Sequence, residues 1–279
     1  MANFTATDIK ALRERTGAGM LDVKRALDEA DGDADKALEL IRVKGLKGVS
    51  KREGRSASDG LVAADVSAAV GEEVGVLVEV NSETDFVAKN VTFLGLAAKV
   101  LGAAVSSGTS DLDALLAVPV DGAPLQAAVD ETAATLGEKI VVRRLARISG
   151  EKVAVYLHKV NKDLPPQVGV LVATDAAGSS VAKDIAMHIA AYSPTYLTRE
   201  DVPAETIASE RRIAEETSRN EGKPEGALPR IIEGRLNGFF KETVLVEQAF
   251  AKDPKKSVAQ VLAEAGGAVT GFARFRVGA

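Results

Sequence analysis

The chain contains no cysteine and only two histidines among its 279 residues. The first absence excludes a disulfide framework and thiolate chemistry, and suits a reducing compartment. The second leaves His158 and His188 as the only imidazoles, and neither is clustered with carboxylates at metal-ligand spacing. Aromatic residues amount to 4%, so alanine and valine carry much of the 46% apolar share. An excess of positive charge is also missing: the net charge of −5 argues against a general nucleic-acid binder, which needs a basic surface to meet phosphates. No apolar stretch approaches the roughly 20 residues of a membrane span. Met1 to Asp8 shows no basic segment followed by an apolar core, so no signal peptide is expected and a soluble, cytoplasmic protein is. Glycine-rich phosphate loops and a serine-centred elbow are absent, and His188, between Met187 and Ile189, reads as a structural histidine. A binding protein is favoured over an enzyme.

What is present centres on Asn81-Ser82-Glu83-Thr84-Asp85-Phe86-Val87-Ala88-Lys89-Asn90. An apolar run, Val74 to Val80, precedes it and reads as a buried strand; Val91 to Leu101 follows with helical apolar spacing. The decapeptide is therefore a strand-to-helix turn, with Thr84 or Asp85 as the N-cap. Phe86 then has two readings: a staple packed into its own core, or an exposed working tip.

The chain supplies its own control. Val74 to Lys89 aligns with Val168 to Lys183 at a constant offset of 94, with eight of sixteen positions identical. Two copies of one strand-turn-helix unit are implied. Within them, Thr84-Asp85-Phe86 faces Gly178-Ser179-Ser180. A staple essential to the unit should have a substitute in the second copy, and Ser180 is a poor one. The comparison points to an exposed Asp-Phe tip.

In chain order, residues 1–55 predict a three-helix N-terminal domain followed by a basic linker. Thr5 or Thr7 caps a first helix that Thr16-Gly17-Ala18-Gly19 ends; a second spans Met20 to Ala30; a third, capped by Asp33, runs to Gly45. Gly17-Ala18-Gly19-Met20-Leu21 is either a core-facing helix start or an apolar contact loop. The glycine, serine and charge content of Gly45 to Gly60 reads as a solvated hinge, with phosphate or an acidic partner as the other use of its cations. An α+β core follows. It comprises a hairpin (Leu61–Ser67, Val74–Val80), helices near 87–107 and 123–137, strands at 139–148 and 152–159, and the second strand-turn-helix copy from Val168. Its proposed division is an N-subdomain, 56–148, and a C-subdomain, 149–198 with 242–279. Between the two parts of the latter, 199–241 reads as an inserted antiparallel helical hairpin, Ala204 to Asn220 and Leu228 to Lys241. A helix near Ser257–Ala265 and a strand from Ala268 to Val277 complete the chain. A ligand-binding module on the N-terminal helices, and an enzyme using Asp85 or His188, are the alternative functions.

Several segments carry a family resemblance: Leu12 to Met20 with Asp22 to Leu27, Thr84 to Asn90, His188-Ile189-Ala190-Ala191, and Val269-Thr270-Gly271-Phe272. Together they closely resemble the bacterial elongation factor Ts family, in a form lacking the extra C-terminal helical module that some members carry. The resemblance implies a ubiquitin-associated-like N-terminal domain, a core of two related subdomains and a projecting coiled-coil hairpin. It also implies a guanine-nucleotide exchange factor that binds elongation factor Tu, disturbs its Mg²⁺ site and promotes GDP release, without covalent chemistry. The resemblance implies no cofactor or metal held by this chain, no direct contact with nucleic acid and no membrane. On this basis the tip Thr84, Asp85, Phe86 and Val87 enters the partner's GTPase domain, with Phe86 as the wedge. Leu12, Arg13, Met20 and Leu21 grip that domain, and His158 faces another domain of the partner.

Overall fold

The computed structural model describes residues 3–279, including all side chains except those of residues 46, 47 and 49–51. Three helices open the chain: α1 (Ala6–Thr16), α2 (Met20–Glu29) and α3 (Ala34–Arg52). Thr5 is the first cap, in a capping box where Asp8 accepts the Thr5 N–H at 2.7 Å. Leu12, Val23, Ala26, Leu27, Ala37 and Ile41 form the small shared core.

The expected stop at Gly45 is corrected, because α3 continues to Arg52. Gly45 lies at a helix crossing: a Cβ there would fall 2.1 Å from the carbonyl oxygen of Ala134. The glycine permits close packing instead of ending the helix. The first part of the expected linker is thus helical, and its Lys47 and Lys51 side chains lie outside the described residues.

Next come β1 (Asp59–Ala69), β2 (Glu72–Ser82), the one-turn α4 (Asp85–Ala88), α5 (Val91–Ser107) and α6 (Leu112–Ala117). The two-residue strands β3 (Pro119–Val120) and β4 (Ala123–Pro124) lead to α7 (Leu125–Leu136) and β5 (Val141–Gly150). β6 (Lys152–His158), β7 (Val168–Thr174) and α8 (Ser179–Tyr192) follow. The helical hairpin is α9 (Ala204–Asn220) and α10 (Leu228–Thr243), and the end of the chain is β8 (Ala249–Phe250), β9 (Asp253–Ser257), α11 (Val258–Ala265) and β10 (Val269–Arg276).

Two antiparallel three-stranded sheets, ordered β1-β2-β5 and β10-β7-β6, form the centre. The repeated strands β2 and β7 are the middle strand of each. Helices α5 and α7 cover one sheet through Phe93, Val100, Val129 and Leu136, and α8 and α11 cover the other through Ile185, Ile189 and Leu262. The uncovered faces of the sheets meet each other over Val62, Leu77 and Leu171. The repeat explains how. A Cβ on Gly169 would lie 2.6 Å from Leu77 Cδ1, and one on Gly75 would lie 3.2 Å from Leu171 Cδ1. Gly75 and Leu77 align with Gly169 and Leu171, so each leucine fills the space its counterpart's glycine leaves, a self-complementary contact between related surfaces. The molecule is a mixed α+β protein.

The hairpin helices have their own apolar cluster, Ala214, Leu228, Ile232, Leu236 and Phe240, with Val202 and Val244 at its base. Ion pairs Arg211–Glu233 and Arg235–Glu221, both at 2.8 Å, span its outer face. No helix among the described residues is long and apolar enough to cross a membrane.

Candidate partner-binding site

Strand β2 runs into α4 through Glu83 and Thr84. Thr84 is the N-cap, in extended conformation, and its hydroxyl accepts from the Val87 N–H at 3.4 Å. The helix lasts a single turn, and the chain restarts as α5 from a new cap, Asn90, which accepts from Thr92 at 2.8 Å. A one-turn helix between two caps leaves little of itself to bury. Val87 and Ala88 take the inward positions, in the cluster beneath α5, whereas Phe86 is 73% exposed. The staple reading of Phe86 does not hold. Val87, expected as part of the contact tip, is corrected: it anchors the turn from within.

Around Phe86 the surface is charged. Lys89 Nζ sits 4.6 Å from the ring centroid and 3.6 Å from an Asp85 carboxylate oxygen. Asp59 lies behind the tip, and burial, helped by the negative charge of Asp85, raises its carboxyl above the ordinary range.

The turn is held by carboxylates from two directions. Glu138, just after the glycine that ends α7, accepts the Glu83 N–H at 3.1 Å, the Thr84 N–H at 3.0 Å and the Thr84 hydroxyl at 2.6 Å. In return Glu83 accepts the Lys139 N–H at 2.6 Å. Arg55 pairs with Glu83 at 3.3 Å, and Lys139 Nζ reaches the Arg55 carbonyl at 3.0 Å and also the Glu53 carbonyl. None of Glu83, Glu138 or Lys139 was singled out from sequence for this role. The one available signal was in the repeat. Asp175 closes the second turn by accepting the Gly178 N–H at 2.7 Å. Its counterpart is Asn81, whose Nδ2 donates to the Asp59 carbonyl at 3.1 Å and whose Oδ1 accepts no hydrogen bond from the turn. The first turn must find its acceptor elsewhere.

The N-terminal module packs beside this turn. A Cβ on Gly17, which has φ of +67°, would lie 2.9 Å from Leu136 Cδ2 and 3.4 Å from Asn90 Nδ2. The α1–α2 connection therefore touches the end of α7 and the cap of α5. Arg42 pairs with Glu131 of α7 at 2.6 Å and Arg52 donates to the Ala133 carbonyl at 3.3 Å. Met20 and Leu21 are 60% and 69% exposed, which removes the core-facing reading for both. Arg13 is exposed as well. Leu12 is corrected: it is buried in the module's core and supports the contact loop without forming part of its surface.

His158 belongs to the other sheet. It is exposed on edge strand β6, with Nδ1 3.1 Å from the Tyr156 hydroxyl. His188 is fully buried: Nδ1 accepts from the Ala251 N–H at 3.1 Å, which places the proton on Nε2 for its 2.8 Å bond to the Gln248 side-chain oxygen Oε1. Burial holds its pKa below the ordinary value. Among the described residues no group of carboxylates and histidines is arranged to hold a metal ion.

Exposed apolar side chains on hydrogen-bonded turns mark this face as a binding surface. Comparison with known proteins shows the family. The family described as Elongation factor TS matches residues 83–279. Relatives named elongation factor Ts cover this chain and themselves completely: the Beutenbergia cavernae protein is 71% identical, that of Renibacterium salmoninarum 66% and that of Kocuria rhizophila 65%. The chain belongs to the elongation factor Ts family. It is a translation elongation factor of protein biosynthesis.

Proposed function

We propose that the protein is the guanine-nucleotide exchange factor of elongation factor Tu, binding its GDP form and releasing the nucleotide so that GTP can enter. The observation that carries this reading is Phe86, an aromatic ring 73% exposed on a turn whose backbone N–H groups are held by the Glu138 carboxylate. A large apolar side chain held in water has no stabilising role in the free protein, and it suits insertion into a partner. Asp85 fixes its approach by charge or hydrogen bonding, with Thr84 as the cap that shapes the turn. Mg²⁺ demands near-ideal octahedral geometry at about 2.0–2.1 Å, so a wedge that shifts its surroundings weakens the ion severely. Without it, the diphosphate repels nearby acids and GDP leaves.

Met20, Leu21 and Arg13 grip the GTPase domain beside the tip, and exposed His158, on the other sheet, meets a second domain of the partner. We read residues 1–55 as a ubiquitin-associated-like domain with its linker, 56–148 and 149–198 with 242–279 as the two core subdomains, and 199–241 as an inserted coiled-coil hairpin. The cytoplasm is the compartment of this activity. No covalent bond is made or broken. Exchange is linkage: the factor by which the protein weakens nucleotide binding is the factor by which nucleotide weakens the protein's binding, so incoming GTP ejects it.

Release of a fluorescent GDP from elongation factor Tu, under excess unlabelled GDP, tests the proposal. Acceleration by substoichiometric amounts of the protein is expected. A folded sample that leaves the release rate unchanged overturns it.

A further inference from the structure

We propose that Glu138 is the positioning residue of the Phe86 tip, holding the turn in its inserting shape so that partner binding drives nucleotide release. This inference rests on the exchange reading. Three donors converge on the carboxylate: two successive backbone N–H groups, of Glu83 and Thr84, at 3.1 and 3.0 Å, and the Thr84 hydroxyl at 2.6 Å. The two amides belong to the residues that enter α4, where the first turn of a helix leaves donors unpaired. Thr84 itself spends its hydroxyl oxygen on the Val87 N–H. Glu138 thus orients the cap that orients the helix.

The turn needs such an outside brace because α4 is too short to hold itself. It has four residues and is followed at once by a second cap, and such a segment is marginal without tertiary support. The second copy shows the contrast. There α8 runs for fourteen residues and Asp175 of the same segment closes the turn. The second turn takes its outside carboxylate earlier, Glu151 accepting the Ala176 N–H at 2.8 Å, whereas the copy with the exposed aromatic brings one to the helix cap itself, across 54 residues of sequence.

The neighbour of Glu138 connects the tip to the segment that follows α3. Lys139, the next residue, holds the Arg55 carbonyl at 3.0 Å and donates its own N–H to Glu83, which Arg55 also engages. The segment following α3 and the tip are therefore gripped by one pair of adjacent residues. Docking of the N-terminal module and insertion of the tip share a single rigid base. A wedge does work on its target only to the extent that it does not yield, so loosening Glu138 should reduce the rate reached at saturation. The affinity supplied by Met20 and Leu21 should be little changed.

The test is Glu138→Ala, which removes both accepting oxygens, Oε2 from the Glu83 and Thr84 N–H groups and Oε1 from the Thr84 hydroxyl. Two measurements are made on the full-length protein. In amide hydrogen exchange, the Glu83 and Thr84 amides are expected to lose protection by about ten-fold, with protection in β2, α5 and α7 unchanged. In GDP release from elongation factor Tu, the saturating rate is expected to fall about ten-fold while the half-saturating concentration stays within about three-fold. An unchanged saturating rate, with wild type active, overturns the positioning role. So does protection lost uniformly across the first sheet and its helices, which would make Glu138 a general structural residue. If wild type itself does not accelerate release, the exchange reading has failed and the inference with it. The amide measurement still reports separately whether Glu138 braces the turn.

Discussion

Phe86 and His188 show opposite uses of an aromatic side chain in a protein that has few. Phe86 is 73% exposed, so Phe86→Ala is expected to change the melting temperature little while slowing GDP release at least ten-fold. A well-placed aromatic contact is worth about 2 kcal/mol or more, and each tenfold in rate needs about 1.4 kcal/mol. Wild-type exchange by this variant would remove the wedge from the mechanism. His188 is the reverse case, silent in binding and important to stability. Its imidazole satisfies Gln248 on one side and the Ala251 amide on the other, so His188→Ala is expected to cost about 1–3 kcal/mol for each buried group left unpaired. Its folded-state pKa lies below the ordinary 6.5, so the unfolded chain binds a proton more readily than the folded one. The stabilisation is complete above about pH 6.5 and is lost as pH falls from there through the folded-state value. Thermal melts across that window should show a steeper loss for wild type than for His188→Gln.

At the scale of elements, the internal repeat is the organising fact. The aligned glycines and leucines of β2 and β7 build the contact between the sheets, so Leu77→Ala and Leu171→Ala are expected to destabilise alike, by about 2–5 kcal/mol each. Urea unfolding reads the comparison directly. Markedly unequal losses would mean that the two halves of this contact do not carry equal weight. Most elements were legible beforehand because their periodicity is clean: the hairpin expected at 61–67 and 74–80 occupies 59–69 and 72–82. The helix expected near 87–107 is two helices, because the Asn90 side chain caps a new start instead of exposing a polar group mid-helix. Gly45 misled for a related reason. A glycine late in a helical pattern signals a stop, yet here it removes a Cβ that would collide with Ala134. Only the neighbouring helix distinguishes the two roles.

At the scale of the molecule, contacts made by α3 on α7 place the N-terminal module beside the tip. Gly45→Val is expected to separate them, since its side chain would occupy the position of the Ala134 backbone. Trypsin should then cleave faster near Arg52 and Arg55. The half-saturating concentration for GDP release should rise, while the saturating rate changes less. Slow wild-type cleavage in the variant would mean that the crossing tolerates the side chain and that docking does not depend on it. The sequence by itself determined the α+β class, the repeat, the pair of helices α9 and α10 and the prominence of Asp85 and Phe86. Periodicity, turn residues and a gapless internal alignment are local or self-referential signals, readable without coordinates. Tertiary structure alone decided which of the motif's side chains face water, turning Val87 and Leu12 inward and Phe86, Met20 and Leu21 outward. It alone brought Glu138 to the tip, because the pairing of a carboxylate with amides 54 and 55 residues away depends on β5 pairing with β2, which sets Val141 opposite Asn81.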